Sequence, residues 1–484
     1  MARPNIIFIM SDDHAAHAMS CYGSRINRTP HLDRIAEGGI RLDNCFCTNS
    51  ICTPSRAAIL TGTHNHVNGV TTLATPLDNT IVTFPELLHR AGYQTAVFGK
   101  WHVGHGPNHC PGGFYDDWAV LPGQGFYHNP QFFFKGPDGG VRRTVHGYAT
   151  DIITDMSLDW LRGRDRERPF CLLYHHKAPH RPWEPDEKHA DMYLNEDIPE
   201  PDTLYDDYEG RPVAEAALMR VGVHMFFDDV KCGINRAMSE DELRKWAYQR
   251  YIKDYLRVIA SVDDNVGRVL DYLDEEGIAD DTVVVYTSDQ GFFLGDHGWY
   301  DKRFMYEESL RMPFVMRYPP AIAAGSTNED IITNLDFAPT FLELADVPVP
   351  DEFQGRSFRP QLAGETPDDW PEGMYYRYWM NRSDHNVAAH YGIRTKRYKL
   401  IYFYSEGMGQ PGADRGFCVG DHVKDENVPP LEPEWQLFDL DTDPHELRNV
   451  YADPAYADVV RELRGELRRL QTEAGDDPHP SELA

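Results

Sequence analysis

Four short apolar runs in this chain each stop at a cluster of polar or titratable side chains, and that repeated pattern restricts the fold more than any other feature. Ile6-Ile7-Phe8-Ile9-Met10 runs into Ser11-Asp12-Asp13-His14, and Thr95-Ala96-Val97-Phe98 into Gly99-Lys100-Trp101-His102. Phe170-Cys171-Leu172-Leu173-Tyr174 leads to His175-His176-Lys177-Ala178-Pro179-His180, and Thr282-Val283-Val284-Val285-Tyr286 to Thr287-Ser288-Asp289-Gln290-Gly291. Apolar runs this short, separated by helical stretches, predict an α/β domain around a largely parallel sheet. Open sheets of that class bind ligands beyond the carboxyl ends of their strands, so the four ends are expected to converge on one pocket.

The clearest helix is expected from about Ser239 to Glu276. Ser239 followed by Glu242 reads as a capping box, and Ile252, Leu256, Ile259, Val262, Val266, Val269 and Leu273 recur at the spacing of one buried face. The segment from about Pro185 to Val230, rich in Asp, Glu and Pro, reads as a long surface insertion beside the pocket. Pro, Gly and charged residues cluster between Gly355 and Pro371, which divides the chain into a catalytic domain, 1–365, and a smaller α+β subdomain, 366–484. In the latter, Tyr391 to Tyr404 and Trp435 to Leu440 read as antiparallel strands, Pro454 to Glu473 as a helix, and the tail after Gly475 as frayed.

With 77 acidic residues against 47 basic ones, the net charge of −30 argues against capture of nucleic acid or an anionic membrane by a broad basic face. An anionic substrate would have to be drawn in by local charge at one site. No apolar run approaches the roughly 20 residues of a membrane span, and Met-Ala-Arg-Pro enters the first strand at once, so a cytoplasmic enzyme is expected. The eight cysteines, at 21, 45, 47, 52, 110, 171, 232 and 418, form no disulfide or zinc framework and are expected to be reduced and mostly buried.

Asp12-Asp13 and Asp289-Gln290 together offer carboxylate and amide oxygens, the donors that hard cations such as calcium or magnesium select. Carboxylates gathered at one point would repel without a cation. Lys100 and His102 lie two apart, so an extended segment would aim both to one side. The prolines of Ala178-Pro179-His180-Arg181-Pro182 stiffen the backbone and hold His180 in place. Lys302 falls in Gly295-Asp296-His297-Gly298-Trp299-Tyr300-Asp301-Lys302-Arg303, a stretch too polar and glycine-rich for core. Arg56 could neutralise a tetrahedral anion or pin a nucleophile.

Cys52-Thr53-Pro54-Ser55-Arg56, followed by Ala57-Ala58-Ile59-Leu60-Thr61-Gly62, resembles the signature of type I sulfatases. Strand-Asp-Asp, Gly99-Lys100-Trp101-His102, Ala178-Pro179-His180, Ser288-Asp289-Gln290-Gly291 and Asp301-Lys302 occur in that family's order, and the similarity runs from Pro4 to about Tyr451. The resemblance implies an alkaline-phosphatase-like α/β sandwich, with a large mixed, mainly parallel sheet and a smaller C-terminal antiparallel sheet with a helix. It implies that Cys52 is oxidised to formylglycine by a formylglycine-generating enzyme. The modified residue would bind one calcium ion together with Asp12, Asp13, Asp289 and Gln290. Gln290 departs from the family, many members of which carry Asn there.

In the implied reaction Arg56 holds the aldehyde hydrate, and Lys100 and Lys302 offset charge on the sulfuryl group. His180, with Lys302, protonates the leaving alcohol, and His102 removes a proton from the remaining hydroxyl. The stretch Phe292 to Ser309 and His390-Tyr391-Gly392-Ile393-Arg394-Thr395 look like the branch that removes 6-O-sulfate from N-acetylglucosamine, which implies a small sulfated carbohydrate as substrate. Asp301 and His390 would then hydrogen-bond sugar hydroxyls, or else brace the domain interface. Phosphonate monoester and phosphodiester hydrolases of the same superfamily share the nucleophile but tend to lack the Lys100/His102 pair. A non-catalytic binder of sulfated glycans, with Cys52 unconverted, is the non-enzymatic alternative.

Overall fold

The computed structural model describes residues 3–104, 110–136, 139–235, 237–414 and 431–483. Its main sheet has ten strands. At the centre lie Thr282–Ser288, Asn5–Ser11, Phe170–His175 and Gln94–Lys100, in that order and all parallel. These are the four apolar runs singled out in the sequence. Phe314–Arg317 pairs antiparallel on one flank and Gln131–Gly136 on the other, so the sheet is mixed but mainly parallel.

Both faces of this sheet are covered. Ile6, Phe8 and Met10 pack into one apolar cluster and Ile7 and Ile9 into another, because successive side chains point to opposite faces. The Ile7 face is closed by the helix Glu240–Glu275 with Ala149–Gly163 and Pro30–Glu37; the Ile6 face is closed by Cys52–Thr61, Phe84–Arg90 and Phe337–Leu344. The long helix starts as its capping box requires, with Ser239 Oγ accepting from the Glu242 backbone N–H. It ends before Gly277, which has φ 68°. Registers pair Met10 with His175 and Ser11 with Ser288, so these strands end level with one another. Gly99 allows the closest approach there: a Cβ at this position would lie 1.8 Å from the His175 carbonyl oxygen.

A second sheet, antiparallel throughout, orders Gly373–Tyr378, His390–Thr395, Tyr398–Phe403 and Glu434–Asp439, with the helix Ala457–Ala474 against it. The first of these strands had no sequence expectation. Lys399 links this sheet to Glu307 at 2.9 Å, and it also pairs with Glu446, on the segment that follows Glu434–Asp439, at 2.7 Å. No described helix is long and apolar enough to cross a membrane. No disulfide joins the described cysteines, and Cys418 lies outside the described residues.

Two expectations need correction. The tail after Gly475 is not frayed: Asp476 accepts from Arg377 at 2.7 Å and from Tyr375, and the turn Pro480–Leu483 buries Glu482 against the Tyr391 hydroxyl. Its anchors are single polar residues, which carry no periodicity. The Pro185 to Val230 segment does run beside the pocket, but it is not merely surface, since Leu204, Val213, Met219, Val221 and Met225 are buried.

That segment also supplies Asp206, whose carboxylate lies 2.8 Å from His297 Nδ1, while Glu308 lies 3.6 Å from Nε2. Burial alone would lower the pKa of His297. The two carboxylates outweigh it and hold the ring up to about 9, against 6.5 ordinarily. Its contribution to stability is therefore complete below pH 6.5 and lost as pH rises through 9. In urea titrations, the stability gap between the native chain and His297→Gln should shrink by something on the order of 3 kcal/mol across that window. A gap that stays constant with pH would show that the ring is neutral throughout.

Candidate active site

The level ends of the central strands place the polar clusters side by side. Asn5–Ser11 delivers Asp12 and Asp13, Thr282–Ser288 delivers Asp289 and Gln290, Gln94–Lys100 ends in Lys100, and Phe170–His175 leads into His180. Asp12, Asp13 and Asp289 each offer a carboxylate oxygen, all within 4.8 Å of one another, and none is exposed. Asp13 adopts φ 67°, a left-handed conformation that Asp tolerates, held by its N–H on Asp289 Oδ1 at 3.2 Å and its carbonyl on the Tyr255 hydroxyl at 2.7 Å.

Cys52 opens the helix Cys52–Thr61, so it stands at the positive end of a helix dipole. Its Sγ is 3.5 Å from Asp12 Oδ1 and 4.0 Å from Gln290 Nε2. Burial pushes the thiol up to about 12; Asp289 and Asp13 push the same way, and Lys302 and Arg56 oppose them. At neutral pH this group is a protonated thiol and a poor nucleophile.

Three cations face the three carboxylates. Arg56 Nε is 2.9 Å from Asp289 Oδ2, its Nη2 is 3.3 Å from Asp12 Oδ2, and its Nη1 donates to the Lys100 carbonyl at 2.7 Å. Lys100 contacts Asp12 and Gln124. Lys302 Nζ lies 2.6 and 2.7 Å from the two oxygens of Asp13. Burial raises Asp13 to about 6 while Lys302 pulls it down. Gln290 Nε2 donates to Asp13, and its Oε1 is fully buried without a partner. An orphaned amide oxygen beside three carboxylates is the donor set of a hard divalent cation.

His180 and Lys302 line the cavity above Cys52, which has a volume of about 280 Å³. His180 Nδ1 donates to the Arg181 carbonyl at 2.7 Å, leaving Nε2 to face Asp13 at 3.8 Å. His102 is buried too, but with φ 52°; the extended segment ends at Lys100, so the shared-side argument for Lys100 and His102 does not apply. A larger groove of about 700 Å³, between His31, His128 and Asp264, contains none of these residues.

Of the two expected sugar contacts, only Asp301 lines the cavity. It is held at φ 84° by Arg303 Nε at 2.9 Å and His385 Nε2 at 3.4 Å. Burial would raise its pKa, but Arg303, the contact with His385 and Lys302 keep it well below the usual carboxylate range. His390 is fully buried with both nitrogens engaged, Nε2 accepting from the Met305 N–H at 3.2 Å and Nδ1 donating to the Ala388 carbonyl at 2.8 Å. Its Nε2 contact ties the second sheet to the Met305 backbone.

Sequence reasoning missed Gln124, Arg303, His385 and Lys177. Gln124, Arg303 and His385 line the cavity from loops with no motif of their own, although Arg303 directly follows Asp301-Lys302. Lys177, read only as part of a strand end, is a buried lysine whose pKa burial draws down to about 8.

The family model described as Sulfatase matches residues 4–347, and that described as N-sulphoglucosamine sulphohydrolase, C-terminal, matches 295–409 and 431–473. The chain is 43% identical to an N-acetylglucosamine-6-O-sulfatase of Bacteroides thetaiotaomicron, the match covering 99% of this chain and 88% of the relative. A solved structure of a protein in complex with its substrate D-glucosamine-2-N,6-O-disulfate superimposes with a TM-score of 0.85 at 41% identity, covering 98% of this chain and 99% of that one. The phosphonate monoester hydrolase of Agrobacterium radiobacter, at 21% identity and a TM-score of 0.75 over 98% of this chain and 96% of its own, shares the fold.

Proposed function

Because this chain belongs to the sulfatase family, we propose that it hydrolyses the O-sulfate monoester of a sulfated amino sugar such as N-acetylglucosamine 6-sulfate, with a formylglycine made from Cys52 as nucleophile. One observation carries the reading: a fully buried cysteine stands at a helix N-terminus among the oxygen donors Asp12, Asp13, Asp289 and Gln290, with His180 and Lys302 lining the cavity above it. The hydrated aldehyde would supply a hydroxyl nucleophile there, and a calcium ion held by Asp12, Asp13, Asp289 and Gln290 would supply the charge that orients it.

The other steps belong to this chain's own side chains. Arg56 locks Asp12 and Asp289 in place and ties them to the Lys100 carbonyl, so the donors are fixed before substrate arrives. The Lys100 and Lys302 ammonium groups offset the negative charge on the sulfuryl oxygens. His180 exchanges protons through Nε2 alone and delivers one to the leaving alcohol oxygen, while His102 takes the proton that must leave position 52. Asp301, held ionised, accepts from a sugar hydroxyl.

The first test is the mass of the tryptic peptide Leu42 to Arg56, from protein made with and without a formylglycine-generating enzyme, beside sulfate release from N-acetylglucosamine 6-sulfate. The expected result is an aldehyde or its hydrate at position 52, with turnover only in the converted protein. An unconverted thiol that turns over would overturn the nucleophile. Faster turnover of a phosphonate monoester would favour the phosphoryl reading. Stripping divalent cations with EGTA should lower kcat by at least about 100-fold and lower Tm, both restored by calcium. Unchanged kcat after chelation would exclude the metal role.

A further inference from the structure

Lys177 has no part in the chemistry above, yet it is 2% exposed and built into the mount of His180. Its Nζ donates to the Arg181 carbonyl at 3.1 Å, the same oxygen that accepts from His180 Nδ1 at 2.7 Å. Its ammonium also lies 4.7 Å from the centroid of the Tyr127 ring. The Tyr127 hydroxyl in turn donates to the His180 carbonyl at 2.7 Å, and the His180 N–H donates to the Lys177 carbonyl at 3.0 Å. Lys177 and Tyr127 thus close a ring of contacts around one imidazole.

We infer that Lys177 is a positioning residue for proton transfer by His180: it anchors the Arg181 carbonyl and the Tyr127 ring, so that Nδ1 always faces the carbonyl and Nε2 always faces the substrate. A carbonyl oxygen can only accept, so Nδ1 keeps its proton in both charge states of the ring. Fixing that oxygen therefore fixes which nitrogen exchanges protons with the leaving alcohol. A buried ammonium with a cation–π contact and a carbonyl partner is a stiff anchor, because displacing it would leave a buried charge without those partners. This inference rests on the reading of His180 as the proton donor.

The test is a double-mutant cycle on the full-length converted enzyme, with Lys177→Met and His180→Ala alone and combined. K177M should lower kcat for N-acetylglucosamine 6-sulfate by about 10–100-fold with KM within about 3-fold, and Lys177→Arg should recover part of that loss. H180A should lower kcat by about 100–10,000-fold, and adding K177M to it should cost no more than about 3-fold further. The K177M loss should also be smaller for 4-nitrophenyl sulfate, whose leaving group needs no proton. Losses that multiply in the double variant, or a raised KM at native kcat, would overturn the inference. Should K177M fail to fold, Tyr127→Phe carries the same test, its smaller loss again disappearing in the H180A background. The cycle is read on whichever alkyl sulfate ester the native enzyme turns over fastest. Absence of turnover on the sugar ester then counts against the substrate reading and not against Lys177.

Discussion

Cys52→Ser should abolish multiple turnover, lowering sulfate release by at least about 10⁴-fold while leaving unfolding free energy within about 1 kcal/mol of the native chain. Serine is close in volume to cysteine and Cys52 is 1% exposed in a packed helix, so the fold has little to lose. The proposed chemistry would lose its second oxygen. A serine carries one hydroxyl on a saturated carbon; once that oxygen bonds sulfur, no neighbouring hydroxyl remains to expel sulfate. The variant should therefore retain at most one sulfuryl group per chain, visible as a mass increase on the Leu42 to Arg56 peptide. Sustained release near the native rate would mean that position 52 is not the nucleophile.

Arg56→Met should be the most damaging single change for stability in the active site. The guanidinium is 1% exposed and bonds two fully buried carboxylates as well as a backbone carbonyl. Removing one partner from a buried ion pair leaves the other charge uncompensated, which costs about 3–5 kcal/mol. Methionine fills similar space, so a cavity does not explain that loss. Calcium should narrow the gap, because a bound cation neutralises the same carboxylates. Urea unfolding with and without calcium measures both effects, and a loss below about 1 kcal/mol would show that Lys100 and Lys302 alone balance the cluster.

The four strand ends were legible because an apolar run followed by polar residues is a local pattern, and a parallel sheet turns that pattern into a shared pocket. The long helix was legible for the same reason, its capping box and one-sided spacing lying within one segment. His390 shows where this legibility stops. A histidine in an apolar strand can face a ligand or a backbone N–H, and only the position of Met305 decides between them. Gln124 and His385 reach the cavity from separate loops, so no spacing could have joined them to Asp301. The role of Lys177 depends on Tyr127, a residue fifty positions earlier that shares no motif with it.

The burial of Cys52 also sets a timetable. In the finished fold its Sγ lies beneath Asp12 and Gln290, and Gln290 is 238 positions further along the chain. If the proposed formylglycine is made, its maturation enzyme needs to reach the Cys52 thiol, which is 1% exposed in the packed helix Cys52–Thr61. At roughly 5–20 residues per second, a ribosome needs about 10–50 s to reach Gln290 after passing Cys52. Oxidation of the thiol in the proposed maturation would therefore compete with closure of the central sheet during synthesis. Expression that outpaces the maturation enzyme should leave well-folded protein carrying an inert cysteine that later exposure to that enzyme does not rescue.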